Sequence, residues 1–169
     1  DMKKLEAING DKIRALNLDQ FLERALPFLI DAQVITGKSN ELDLVKAALP
    51  IIQERIVKLA EIPAMLKFLF VDRLEIEEES KNKITDEQSK QVLKRALEVL
   101  EPILSWQHES IEAALRGALI DELGLKPRIA FGAVRIAITG SHISPPLFES
   151  MELLGKAPTM VRIKEALSL

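Results

Sequence analysis

The chain has 169 residues, 47% of them apolar, 4% aromatic and 29% charged, with a formal net charge of −3. That length suits one domain or two small ones, and the apolar share is enough to fill a core. With no cysteine there is neither a disulfide framework nor a thiolate metal site, and the absence of Tyr leaves too few aromatic faces for a binding mode built on a row of stacked bases.

Along the chain, Leu42, Val45, Leu49, Ile52, Ile56 and Leu59 recur at spacings of three and four, which predicts one buried stripe of a helix. Pro50 lies inside that stripe and predicts a kink or a break, because it removes a backbone donor and crowds the preceding turn. An acidic, polar stretch from Glu77 to Lys83 predicts a boundary, and Glu77-Glu78-Glu79 reads as a solvated turn rather than a metal site. Thr85-Asp86-Glu87-Gln88 has the spacing of a capping box, with Thr85 as the cap. Leu93, Leu97 and Leu100 then give a buried helix face that Pro102 ends. Ile111, Ala114, Leu115, Ala118 and Leu119 define another helix, stopped by Gly124. From Val134 to Thr139 apolar residues alternate with the period of a strand, although a lone strand among helices would have no pairing partner. Ser144 before Pro145 predicts an N-cap with proline in the first turn.

The longest apolar runs are interrupted by charge before they could span a bilayer, and the start has no signal-peptide pattern. A cytoplasmic protein without a membrane partner is the expectation, and the opening Asp1-Met2-Lys3 reads as the interior of a longer protein. The acidic average hides an asymmetry. From Leu123 onward six bases (Lys126, Arg128, Arg135, Lys156, Arg162 and Lys164) face three acids (Glu149, Glu152 and Glu165), a balance that permits an RNA partner. No catalytic constellation is visible: His108 and His142 stand far apart and read as surface residues, and no glycine-rich phosphate loop occurs.

One run is more specific. Arg135, Thr139-Gly140, Pro146-Leu147-Phe148 and Leu153-Leu154-Gly155 stand in an order that resembles the anticodon-binding end of bacterial glutamyl-tRNA synthetases. Other landmarks agree in order. Lys4-Leu5-Glu6-Ala7-Ile8-Asn9-Gly10 with Ile13-Arg14 resembles the family's segment after the catalytic domain. Gln53-Glu54-Arg55 with Glu61-Ile62-Pro63 and Phe68-Leu69-Phe70 is similar to a second family stretch, and Trp106 with Leu115-Arg116-Gly117 before Leu125-Lys126 to a third.

The resemblance implies an all-α fold of two small helical subdomains, residues 1–80 resembling a stem-contact region and 81–169 an anticodon-binding domain. It implies a helix from about Pro127 to Thr139 closed by Gly140, a reading preferred here over the strand. It also implies that Arg135 reads the first anticodon base and Arg55 the third, with Ser144, Pro145 and Leu147 beside the anticodon. Physically, a guanidinium offers a planar fork of donors for base or phosphate acceptors, and a helix start offers unpaired amides. Pro146 departs from relatives that carry Gly there, which leaves fewer backbone donors in the turn. The implied partner is the tRNA for glutamate, also that for glutamine in a dual-specificity form, bound by a monomer. The family's ATP and magnesium chemistry belongs to a catalytic domain whose His-Ile-Gly-His-like and Lys-Met-Ser-Lys-Ser-like motifs do not occur here, so this stretch alone is expected to be inactive and to hold no catalytic residue, metal or cofactor. The competing reading is a helical protein-interaction module without RNA binding, which the acidic average and ordinary amphipathic stripes also suit.

Overall fold

Helices make up every regular element of the computed structural model, which describes residues 1–169. The residues fall into two units, Asp1–Asp72 and Arg73–Leu169. The expected boundary at residues 80 and 81 thus lies inside the second unit. The reason is local: the Glu77 amide donates to the Gly140 carbonyl at 3.1 Å, and the Gly140 Cα lies close against the Glu75 carbonyl. Residues 73–80 are thereby tied to the unit that follows them.

The first unit comprises α1 (Met2–Arg14), α2 (Leu18–Asp31), α3 (Ser39–Gln53) and α4 (Ile62–Leu66), with 3-10 turns at Leu59–Glu61 and Lys67–Leu69. Helix α2 starts on a capping box, Asn17 accepting from the Gln20 amide and Gln20 accepting from the Asn17 amide. One oxygen of Glu41 gathers the amides of Thr36, Gly37 and Lys38 and so starts α3. The Lys38 amide above all, with the bonds from Thr36 and Gly37, holds the Glu41 carboxyl below its ordinary pKa against the opposing effect of burial. Phe21, Ala25 and Leu29 of α2 meet Val45, Leu49 and Ile52 of α3 and Ile62 and Leu66 of α4 in the interior. Of the kink or break expected at Pro50, no break occurs: α3 runs through it, and α2 likewise contains Pro27. The buried stripe on either side of Pro50 holds the helix where propensity alone would end it. From the last residue of α3, the Gln53 side chain donates to the carbonyls of Ile13 and Leu16, both at 2.9 Å, and closes the end of α1.

The second unit comprises α5 (Glu78–Lys81), α6 (Glu87–Leu100), α7 (His108–Leu115), α8 (Pro127–Thr139), α9 (Leu147–Leu154) and α10 (Lys156–Leu167). Helix α7 continues without interruption into a π-helical turn, Arg116–Glu122. Helices α6, α8 and α10 pack on one another, and α7 packs on α9. Val92, Leu93, Leu100, Ile111, Leu115, Val134, Ile138, Met151 and Ile163 form their common core. The helical reading of residues 127–139 holds, and Gly140 closes α8 with φ +82°. The cap of α6 differs from expectation: Asp86, one residue after Thr85, accepts from the Ser89 amide at 2.6 Å. No helix is long and apolar enough to cross a membrane.

Candidate nucleic-acid interface

The turn between α8 and α9 is built by its own polar groups. Gly140 donates to Ile136 at 2.8 Å, Ser141 donates to the Thr139 hydroxyl at 3.3 Å, and Ile143 donates to the Ser141 hydroxyl at 3.2 Å. Arg135, half-buried one turn before the end of α8, reaches across the turn. Its Nη1 donates to Ser144 Oγ at 2.6 Å and to the Pro145 carbonyl at 2.9 Å, and the Ser144 hydroxyl donates to that same carbonyl at 2.8 Å.

Arg135, Ser144 and Pro145 are therefore one connected cluster, with Leu147 buried beside it at the first turn of α9. Ser144 does not cap α9 as expected. The N-cap is Pro146, which offers no side-chain acceptor, because the Ser144 hydroxyl is committed to Arg135 and to Pro145. The amides of the first turn of α9 thus carry no side-chain cap. Arg55 lies in the first unit, just past α3, with an exposed side chain.

A concavity of about 820 Å³ opens beside Arg135. Lys83, Arg128 and His142 share its lining with Arg135, and Asp86, already engaged with the Ser89 amide, is its one acid. Arg128 and Arg135 stand seven residues apart on α8, two turns on one face, so that spacing could have marked Arg128 in the sequence. Nothing in the sequence marks Lys83, which α6 and its preceding turn bring to α8 from far along the chain. Gly132 lies on the same face of α8, and a Cβ there would meet nothing within 4 Å. Phe131 also lines the concavity; its ring and that of Phe148 meet edge to face at 5.2 Å, and the Arg116 guanidinium lies 5.2 Å from the Phe131 centroid and 6.0 Å from that of Phe148.

A helix-borne guanidinium, a fixed turn and a cationic concavity form a surface fit for an unstacked, negatively charged strand. The model of the anticodon binding domain family matches residues 20–167. This chain belongs to that family. Among relatives of this anticodon-binding chain, the glutamate–tRNA ligase of Nocardioides sp. is 46% identical over 171 residues, an alignment covering 99% of this chain and 35% of the relative. The glutamate–tRNA ligase of Leifsonia xyli subsp. xyli is 44% identical, with 96% of this chain and 34% of the relative covered. The chain thus spans about a third of the length of the curated relatives it matches. The solved glutamate–tRNA synthetase of Elizabethkingia anophelis shares the fold, with a TM-score of 0.74 at 18% identity over 100% of this chain and 32% of that one.

Proposed function

We propose that this chain is the anticodon-recognising part of a glutamate–tRNA ligase. The observation that carries the reading is the end-to-end likeness to proteins of that name at 46% and 44% identity, in a chain whose family is anticodon-binding. The Arg135 cluster supplies the physical means. Its guanidinium is held in one plane by the Ser144 hydroxyl and the Pro145 carbonyl, so its direction is set before any base arrives. Lys83 and Arg128 beside it suit the flanking phosphates, and in this reading Arg55, Ser144, Pro145 and Leu147 are offered as further contacts of the anticodon.

The first unit takes the stem-contact role in this reading. Ligation with ATP and magnesium belongs to the two-thirds of the relatives' length that lies outside this chain. Binding energy from the anticodon would then serve to place the reacting end of the tRNA at a remote centre.

The test is a salt-resolved titration of this chain against anticodon stem-loops from glutamate, glutamine and unrelated tRNAs. The glutamate loop should bind most tightly and weaken steeply as salt rises. Arg135→Ala should lose about 1–3 kcal/mol of that binding, as for a bidentate base contact. Equal binding of the three loops, or equal binding by Arg135→Ala, would overturn the reading.

A further inference from the structure

Within the concavity beside Arg135, the middle of α8 is bare. Arg128 and Arg135 stand about 10 Å apart along the helix axis, and Gly132 lies between them on the same face. Glycine in a helix interior is costly relative to alanine, because it gives up more chain entropy on folding. Neither conformation nor packing asks for it at this position. The backbone of Gly132 is helical, with no positive φ, and a Cβ would meet nothing within 4 Å. The chain thus keeps a gap here that its own atoms do not use.

The surroundings of the gap select by chemistry. Lys83 and Arg128 supply cations at its edge, and the one acid of the lining, Asp86, is engaged with the Ser89 amide at 2.6 Å. Ile129, Ala133 and Ile136 make the rest of this face of α8 aliphatic. The Phe131 ring, 8% exposed and packed against Phe148, offers no open face on which a base could stack. A flat body that carries a phosphate can still gain contact by approaching the backbone itself, and a position without a Cβ is where such an approach is possible.

We propose that Gly132 is a close-contact position for RNA: one nucleotide of the bound strand lies flat against the bare backbone of α8, with its phosphate on Lys83 and Arg128 and the adjoining base at Arg135. This rests on the anticodon reading and adds to it a second nucleotide seat, one that selects by space rather than by a hydrogen bond. Any side chain at residue 132 lifts that nucleotide away from the helix.

The test compares Gly132→Ala and Gly132→Leu with the parent by salt-resolved titration against the glutamate anticodon stem-loop, alongside urea unfolding of each protein. Ala and Leu are strong helix formers, so neither variant should have a urea midpoint below the parent's. RNA affinity should move the other way, falling about tenfold for Ala, the size of an overpacking penalty, and further for Leu. The slope against salt should stay that of the parent, because the cations remain in place, whereas Arg128→Ala should lower it by about one. Gly117→Ala is the control: its Cβ would also meet open space, but Gly117 does not line the concavity, and its RNA affinity should be unchanged.

Parent-like affinity of Gly132→Ala and Gly132→Leu, where Arg135→Ala still loses the glutamate loop, overturns the proposal and leaves the anticodon reading standing. Absence of any preference for the glutamate loop in the parent overturns both. A chain extended to the relatives' full length should show the same losses at residue 132. Their absence there would mean that the added residues cover the concavity, which overturns the proposal too.

Discussion

Gly140 shows how much one backbone position decides. It has φ +82°, and a Cβ built on it would lie 2.6 Å from the Glu75 carbonyl oxygen, a backbone atom that cannot swing aside. Gly124 has φ +67° but open space around it. Gly124→Ala should therefore cost only the left-handed strain, about 1–2 kcal/mol. Gly140→Ala adds a steric clash and should cost about 3 kcal/mol or more. Denaturant titration of the two variants gives the comparison directly, and equal losses would contradict the close approach.

His108 is more than the surface residue its sequence context predicts. Its amide donates to Glu152 Oε1 at 2.9 Å, its Nδ1 lies 3.3 Å from the same oxygen, and its Nε2 lies 2.9 Å from Glu109. Burial opposes the charged ring, but the hydrogen bond to Glu152 and the charges of Glu109, Glu152 and Glu149 outweigh it and raise the pKa above the ordinary value of 6.5. A raised pKa in the folded state means that stabilisation is fully present below the unfolded value and fades as pH rises through the folded one. The clasp between α7 and α9 should weaken as pH climbs from about 6 toward 8. Melting temperatures across that range should fall more in the parent than in His108→Asn. Equal slopes would mean that the ring does not hold the two helices.

At the scale of elements, α6 shows how capping chemistry can be legible while its register is not. Thr85 and Asp86 are both good caps, and the spacing to Gln88 favours the first; in the structure Asp86 takes the Ser89 amide, while Ser89 Oγ donates to the Lys83 carbonyl. Asp86→Ala should cost about 1 kcal/mol and Thr85→Ala far less, a difference that thermal denaturation resolves.

Helix α8 was obscured by its own burial. Ala130, Ala133, Val134, Ile136, Ala137 and Ile138 are all interior, so the apolar residues go nearly all the way round and leave alternation as the visible pattern. The polar positions carry the helical signal instead: Arg135 and Thr139 are half-buried and four apart, and Thr139 Oγ1 donates to the Arg135 carbonyl at 2.7 Å. The π turn at Arg116–Glu122 had no such signal. Likewise Ser144, a good cap by residue type, was drawn away by the guanidinium of Arg135, a partner nine residues back that no local rule weighs. The residues that meet at this turn, Arg135, Ser144 and Pro145, were therefore legible, but the bonds between them were not.

For the molecule as a whole, the boundary at Asp72 and Arg73 gives a second unit with its own core, running from Ile84 on the stretch before α6 to Ala166 on α10. A fragment of residues 73–169 should fold on its own as a helical domain. Starting at residue 81 instead removes the Glu77 bond to Gly140 and the half-buried Ile76 that packs on the core, and should lower stability by about 1–3 kcal/mol. Comparing urea midpoints of the two fragments tests where the unit begins. If the shorter fragment is as stable, residues 73–80 are a linker after all. Within this unit Arg162, only 6% exposed, donates from Nη1 to the Ile138 carbonyl at 2.7 Å, so a cation of α10 meets one of the open carbonyls at the end of α8. The turn that follows α8 is thus anchored from beneath.

The bond from Arg135 to Ser144 and Pro145 has a kinetic meaning as well. A turn tied to the helix before it, and stiffened by Pro145 and Pro146 in succession, loses little freedom when something settles on it. The ordering cost of an encounter then falls on the visitor. For a nucleic-acid loop, the pace of recognition would be set by how often its bases swing out of their own stack, and substitutions that loosen the turn would slow capture rather than hasten release.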